Sequence, residues 1–189
     1  MSYWLDFLGS FFVGAIAILI LTNVNISVSS AASENLYSGV MQRNITGAVD
    51  LIEHDLYKIG YRVTGDSFSI ADSTEIKFFS DINNDGTAEE LHYFCGVTTD
   101  LTATYNPNDY LLTREKNMQK PGASIPVVDF KLTYFDSLGQ KLDYGLLTNQ
   151  SEMNKIKSVR VRLHCETADK IDDHYEAVEW EKTVTPKNI

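Results

Sequence analysis

WLDFLGSFFVGAIAILIL, residues 4–21, holds one charged side chain, Asp6, and no charge recurs until Glu34. As a helix this stretch measures about 27 Å, close to the thickness of a bilayer's hydrocarbon core. It therefore predicts a span through residues 4–21, or a helix buried among other helices. A cleaved secretory signal is the competing reading, since Ala31 and Ala32 offer small residues for cleavage, but MSYWLDFLG has no Lys or Arg to form a basic n-region. Asp6 is the odd residue, because a carboxylate at mid-bilayer costs about 2.5–3.5 kcal/mol even on mild insertion scales. It belongs near an interface, where the positive end of a helix favours it, or against a neighbouring chain.

Working outward, NVNISVSSAASEN is rich in Ser and Asn and poor in helix formers, which predicts a flexible or weakly helical connection. The helical signal then returns over 34–61. Leu36, Val40, Ile45, Val49, Ile52, Leu56 and Ile59 make an apolar face, opposite Gln42, Arg43, Asp50, Glu53, Asp55 and Lys58, and Gly60 is the expected stop. From Phe68 the period changes to two, predicting strands over 67–71, 75–80, 90–97, 110–115, 127–136, 158–166 and 177–185. VRVRLHC shows the pattern best, with Val159, Val161, Leu163 and Cys165 on one face and Arg160, Arg162 and His164 on the other. NNDGT after Asp81, PND at Pro107, KPG at Lys120 and DSLG at Asp136 supply the reversals of antiparallel meanders.

The predicted class is therefore α+β: a long N-terminal α-helix, apolar in its first half and amphipathic in its second, packed on a mostly antiparallel β-sheet. Residues 1–33 form the apolar helix and its connection, and 34–189 the folded domain. A length of 189 residues suits one such core. The net charge of -10 argues against a nucleic-acid partner, whose phosphates are met by Lys and Arg.

Residues 81–86, DINNDG, are the strongest candidate ligand site. Oxygen side chains at Asp81, Asn83 and Asp85 followed by Gly match the first half of a calcium loop, with Glu89 or Glu90 completing the shell because the twelfth position is His92. A plain hairpin turn is the other reading. Cys95 and Cys165 lie in predicted strands, and either a disulfide in an oxidising compartment or two buried thiols is consistent with that. A zinc site from His92, Cys95, His164 and Cys165 is not expected, since on extended strands each His and its neighbouring Cys point to opposite faces. His54 and His174 sit among acidic residues and read as solvated. No phosphate loop, dinucleotide fingerprint or nucleophile elbow occurs, so no enzyme activity and no catalytic residue is expected.

The chain resembles the type IV pilin-like proteins, in particular the larger minor pilins and the minor pseudopilins of type II secretion. The resemblance rests on the apolar helix running into an amphipathic one, DLYKIGYR at its end, EIKFFSDINNDGTAEELHYF, YLLTRE, VVDFKLTYFDSLGQKL, IKSVRVRLHCET and the closing EKTVTPKNI, in that order. It implies a structural subunit of a filament whose partners are other pilin-like subunits, held in the cytoplasmic membrane with its domain outside the cytoplasm, or assembled into an extracellular filament. The family's short basic leader, cut after Gly and followed by a Glu at the fifth position, has no counterpart here, although removal of Met1 would put Asp6 fifth. In the family that acidic residue neutralises the terminal amine of the adjacent subunit, which implies a subunit contact at Asp6. The alternative is a single-span, membrane-anchored binding module, calcium-dependent through the 81–89 turn.

Overall fold

No proline precedes residue 107, and the chain forms one helix, α1, over Ser2–Tyr57 in the computed structural model. The structure describes residues 2–96, 104, 106–170 and 173–189. They fall into two compact units, Met1–Val40 and Met41–Ile189.

Residues 23–35, expected to be a flexible or weakly helical connection, are helical. The reason lies in how the polar side chains are used. Thr22 Oγ1 donates to the Ile18 carbonyl (2.8 Å), Ser27 Oγ to Asn23 (3.0 Å), Ser33 Oγ to Ser29 (3.0 Å) and Asn35 Nδ2 to Ala31 (2.8 Å), each one turn back. Side chains that elsewhere compete with a helix here bond within it.

In the second unit α1 contributes Ile45, Val49, Ile52 and Leu56 to the core. Leu36 and Val40, assigned by spacing to the same apolar face, are exposed, and Asp55, assigned to the polar face, is buried. The helix ends at Tyr57, short of the expected residue 61. Gly60 takes φ +75° and turns its N–H to the Phe79 carbonyl (3.0 Å), leaving the helical ladder for the sheet. A Cβ at Gly60 would meet Ile189 Cγ2 and Ser67 Oγ at 2.8 Å and the Asn188 carbonyl oxygen at 2.9 Å.

Eight strands follow: β1 (Phe68–Ala71), β2 (Glu75–Ser80), β3 (Glu89–Cys95), β4 (Tyr110–Lys116), β5 (Gln119–Val127), β6 (Asp129–Phe135), β7 (Ser158–Glu166) and β8 (Ala177–Val184). They form two antiparallel sheets, β1-β2-β3-β4-β5 and β6-β7-β8. The chain changes sheet at Val128, whose N–H donates to the His164 carbonyl (2.8 Å). Val159, Val161, Leu163 and Cys165 are buried as the alternation of VRVRLHC predicts. They join Phe78, Leu91, Leu112, Leu132 and Tyr134 in one core with the end of α1.

Strand β5 takes the place of the turn expected at Lys120, a turn that KPG and the two prolines of QKPGASIPV favour. The reversal occurs earlier, at Asn117 and Met118, which both have positive φ (51° and 55°) as a tight hairpin requires. Pro121 and Pro126 are accommodated because β5 ends its sheet, where missing N–H groups leave no central ladder incomplete. A single-turn helix, α2 (Gln150–Met153), capped by Asn149 Oδ1 accepting from Ser151 N, also went unpredicted, being too short for a period to show.

Candidate functional site: an apolar helix and an acidic hairpin

Over residues 3–28 the large apolar side chains of α1 are exposed on every side: Trp4, Phe7, Leu8, Phe11, Phe12, Val13, Ile18, Leu19, Leu21, Val24, Ile26 and Val28 among them. The helix is long and apolar enough to cross a membrane. A helix apolar all round needs lipid or other apolar helices about it, because leaving it wet costs roughly 25 cal/mol per Å² of apolar surface. Asp6 lies within this stretch, about one turn from its start, and its carbonyl accepts from Ser10 Oγ (2.6 Å). Gly9 and Gly14 have nothing within 4 Å of a Cβ position, so their surface is open to a close neighbour.

The 81–89 turn brings together Asp81, Asn83, Asp85 and Glu89, and most of their oxygens accept bonds from protein groups. Asp81 is fully buried; its Oδ2 accepts from Arg62 Nη1 (3.1 Å) and from Gly86 N (3.0 Å), while its Oδ1 has no donor among the described residues. Asn83 Oδ1 accepts from Asp85 N (3.0 Å), and Asn83 Nδ2 donates to Asp85 Oδ2 (2.7 Å). Asp85 Oδ1 accepts from Thr87 N (2.8 Å), and this backbone bond, helped by the Asn83 amide, holds its carboxyl below the usual range. Glu89 Oε2 accepts from Ile82 N (2.8 Å) and its Oε1 from Lys116 Nζ (2.7 Å). Asn84 and Gly86 at positive φ (63° and 91°) close the turn. Arg62 and Lys116 thus already neutralise its two buried carboxylates. Among the described residues, no three His, Cys, Asp or Glu side chains converge as a metal-binding group.

Cys95 and Cys165 are unpaired thiols, the first half-buried and the second buried. Burial, with Asp129 nearby, pushes the Cys95 thiol up to about 12. Burial, with Asp109 nearby, pushes Cys165 to about 11. Both stay protonated and unreactive at neutral pH. His54 is exposed, as expected, with Nδ1 3.2 Å from Asp55 Oδ1. His174 is exposed too and lies 2.9 Å from Glu176.

Two clusters escaped the sequence reading. Asp55, fully buried at the end of α1, accepts from Tyr93 Oη on β3 and from Arg114 Nε on β4, both at 2.6 Å. Burial, then the Asp55 carboxylate, pushes the Tyr93 hydroxyl well above the usual tyrosine range, so it remains a donor. A signal for this was present: Asp55 falls three residues after Ile52 and four before Ile59, on the apolar face. The second is Asp109, buried just before β4 with both carboxylate oxygens lacking a donor among the described residues. The sequence NPND showed only a turn. No protein-family model, curated protein or solved structure matches this chain.

Proposed function

We propose that this chain is a structural subunit of a type IV pilin-like filament, a minor pilin or pseudopilin, held in the cytoplasmic membrane by residues 4–21 until it assembles. The observation that carries the reading is α1 itself. One helix presents an apolar surface on all sides over residues 3–28 and, in its last turns, supplies Ile45, Val49, Ile52 and Leu56 to the core of an antiparallel domain. Such a helix has two environments that suit it, lipid before assembly and the helices of other pilin-like subunits afterwards. Asp6 then serves as the subunit contact, its charge met by a neighbour's cationic group.

The role is mechanical. Moving an apolar helix from lipid into a bundle without wetting it requires that neighbours replace the lipid as it leaves, so assembly is cooperative. No step of covalent chemistry is assigned to any residue.

Material sheared from cells, imaged with immunogold directed at residues 41–189 while membranes are fractionated in parallel, tests the proposal. Label on filaments, along them or at their tips, supports it. Label confined to membranes overturns the filament role and leaves a single-span binding module.

A further inference from the structure

The sequence holds three Asn-x-Ser/Thr tripeptides: Asn25-Ile26-Ser27, Asn44-Ile45-Thr46 and Asn149-Gln150-Ser151. This is the acceptor pattern for a glycan on the Asn amide, provided that the middle residue is not Pro and that the tripeptide can be reached at the surface. The first two lie inside α1. Residues two apart on a helix do not share a face, so the amide and the hydroxyl cannot be met from one direction. Both hydroxyls are also engaged within the helix, Ser27 Oγ donating to the Asn23 carbonyl (3.0 Å) and Thr46 Oγ1 to the Gln42 carbonyl (2.7 Å). Ile45, the middle residue of the second, is buried in the core.

The third tripeptide is presented differently. Asn149 and Ser151 are exposed on the connection between β6 and β7, and the Asn149 backbone is extended (φ -104°, ψ 130°). Asn149 Oδ1 accepts from Ser151 N (3.1 Å), which folds the side-chain amide back onto the residue two along. Between them, Gln150 Nε2 donates to the Phe68 carbonyl (3.2 Å) and to Asn154 Oδ1 (3.0 Å), anchoring the connection to β1. Among the described residues, neither Asn149 Nδ2 nor Ser151 Oγ is held in a hydrogen bond. The two groups that the pattern requires are therefore exposed, adjacent and uncommitted here, and in neither of the other tripeptides.

We propose that Asn149 is the attachment site of an N-linked glycan. Asn149 Nδ2 attacks the anomeric carbon of a glycan carried on a polyprenyl phosphate or pyrophosphate. The N–C bond forms, the anomeric C–O bond breaks, its electron pair leaves with the phosphate, and Nδ2 gives up one proton to a base of the transferase. The Ser151 hydroxyl is what the transferase reads beside the amide. The product keeps Asn149 Oδ1 as an acceptor, so the bond from Ser151 N survives and the connection can carry the sugar without refolding. The proposal rests on the reading that places the domain outside the cytoplasm, and it stands whether or not the chain assembles into filaments.

The chain is extracted from membranes of the cells that naturally make it and digested with trypsin, and peptide 142–155, which contains this tripeptide and neither of the others, is sequenced by mass spectrometry with electron-transfer fragmentation. An added mass of one or more sugar residues on Asn149 supports the proposal. Ser151→Ala keeps the backbone N–H that Asn149 accepts from, so it should fold and lose the glycan. Ser151→Thr should retain it, and Asn25→Gln and Asn44→Gln should leave it in place. A glycan found on Thr148 or Ser151 Oγ, or one that survives Ser151→Ala, overturns the site. In parallel, protease is added to wall-free cells whose cytoplasmic membrane is intact, and should digest residues 41–189. A domain that is digested but carries no glycan overturns the site alone, whereas a protected domain overturns the extracytoplasmic reading and the site with it.

Discussion

Replacing Arg114 by Met should remove a large part of the folded domain's stability. Asp55 is fully buried and accepts two bonds of 2.6 Å, one from Arg114 Nε and one from Tyr93 Oη. Arg114 is itself largely covered, its side chain 15% exposed. Removing one partner of such a pair leaves an uncompensated buried charge, which costs about 3–5 kcal/mol. Tyr93 and the His54 nitrogen 3.2 Å away remain to hold Asp55, so the lower end, about 3 kcal/mol, is the expected loss. Tyr93→Phe removes one bond to a charged acceptor and should cost about 1.5–3 kcal/mol. Replacing the pair together, Asp55→Leu with Arg114→Leu, removes both charges and should cost much less than the two single losses added.

The assay is urea unfolding of the full chain in detergent, followed by Trp180 fluorescence in a Trp4→Phe background, since these are the two tryptophans. A domain of this kind has about 5–15 kcal/mol in total, so a loss of about 3 shifts the midpoint clearly. An Arg114→Met loss below about 1 kcal/mol, or a double variant as unstable as the sum of the singles, would refute the reasoning.

Gly60→Ala should cost about 1–3 kcal/mol, because φ of +75° and contacts of 2.8–2.9 Å penalise a Cβ; deleting residues 188–189 in the same variant should recover part of the loss in urea melts. Iodoacetamide at about pH 8 should modify native Cys95 and Cys165 on the order of 10²- to 10³-fold more slowly than the unfolded chain, as mass spectrometry would read. The same thiols bind protons more tightly when folded, so above pH 9 the unfolded state holds fewer protons and stability should fall with rising pH; Cys95→Ala with Cys165→Ala should flatten that slope in urea melts taken from pH 8 to 11. Val13→Lys with Ile18→Lys adds about 3 kcal/mol per site to the cost of insertion and should move the protein from the carbonate-resistant membrane pellet to the supernatant.

The α+β class was legible because both periods are strong. The 45-49-52-56 spacing puts apolar residues on one helical face, and VRVRLHC alternates without a fault. What failed to show was whatever depended on a partner distant in sequence. Leu36 and Val40 continue the apolar spacing yet are exposed, since periodicity records a face and not what covers it. Asp55 looked like a surface charge because its partners, Tyr93 and Arg114, lie 38 and 59 residues away. The prolines of β5 pointed to a turn, and only the place of that strand at the end of its sheet makes them tolerable. At the acidic hairpin the sequence located the loop, whereas the role of Arg62 and Lys116 in neutralising it depends on the fold.

The polar stretch after the apolar segment bears directly on how one helix serves in two surroundings. A hydroxyl or amide moved from water into an apolar setting without a partner costs about 1–3 kcal/mol in proteins. Ser10, Thr22, Ser27, Ser33 and Asn35 each donate to a carbonyl one turn back in their own helix. The four hydroxyl donors are therefore satisfied before any neighbour arrives, as is one N–H of the Asn35 amide, which lowers the cost of burying them in lipid or among helices. A stretch that relied on water would instead resist withdrawal from it at each of these positions. On the filament reading, these bonds let the apolar segment continue as one helix through Thr22, Ser27 and Ser33 at a lower cost of burial than free hydroxyls would carry. Replacing Ser27 and Ser33 by Asp, whose charges no bond within the helix can neutralise, should therefore block incorporation into filaments while leaving membrane extraction of the chain unchanged.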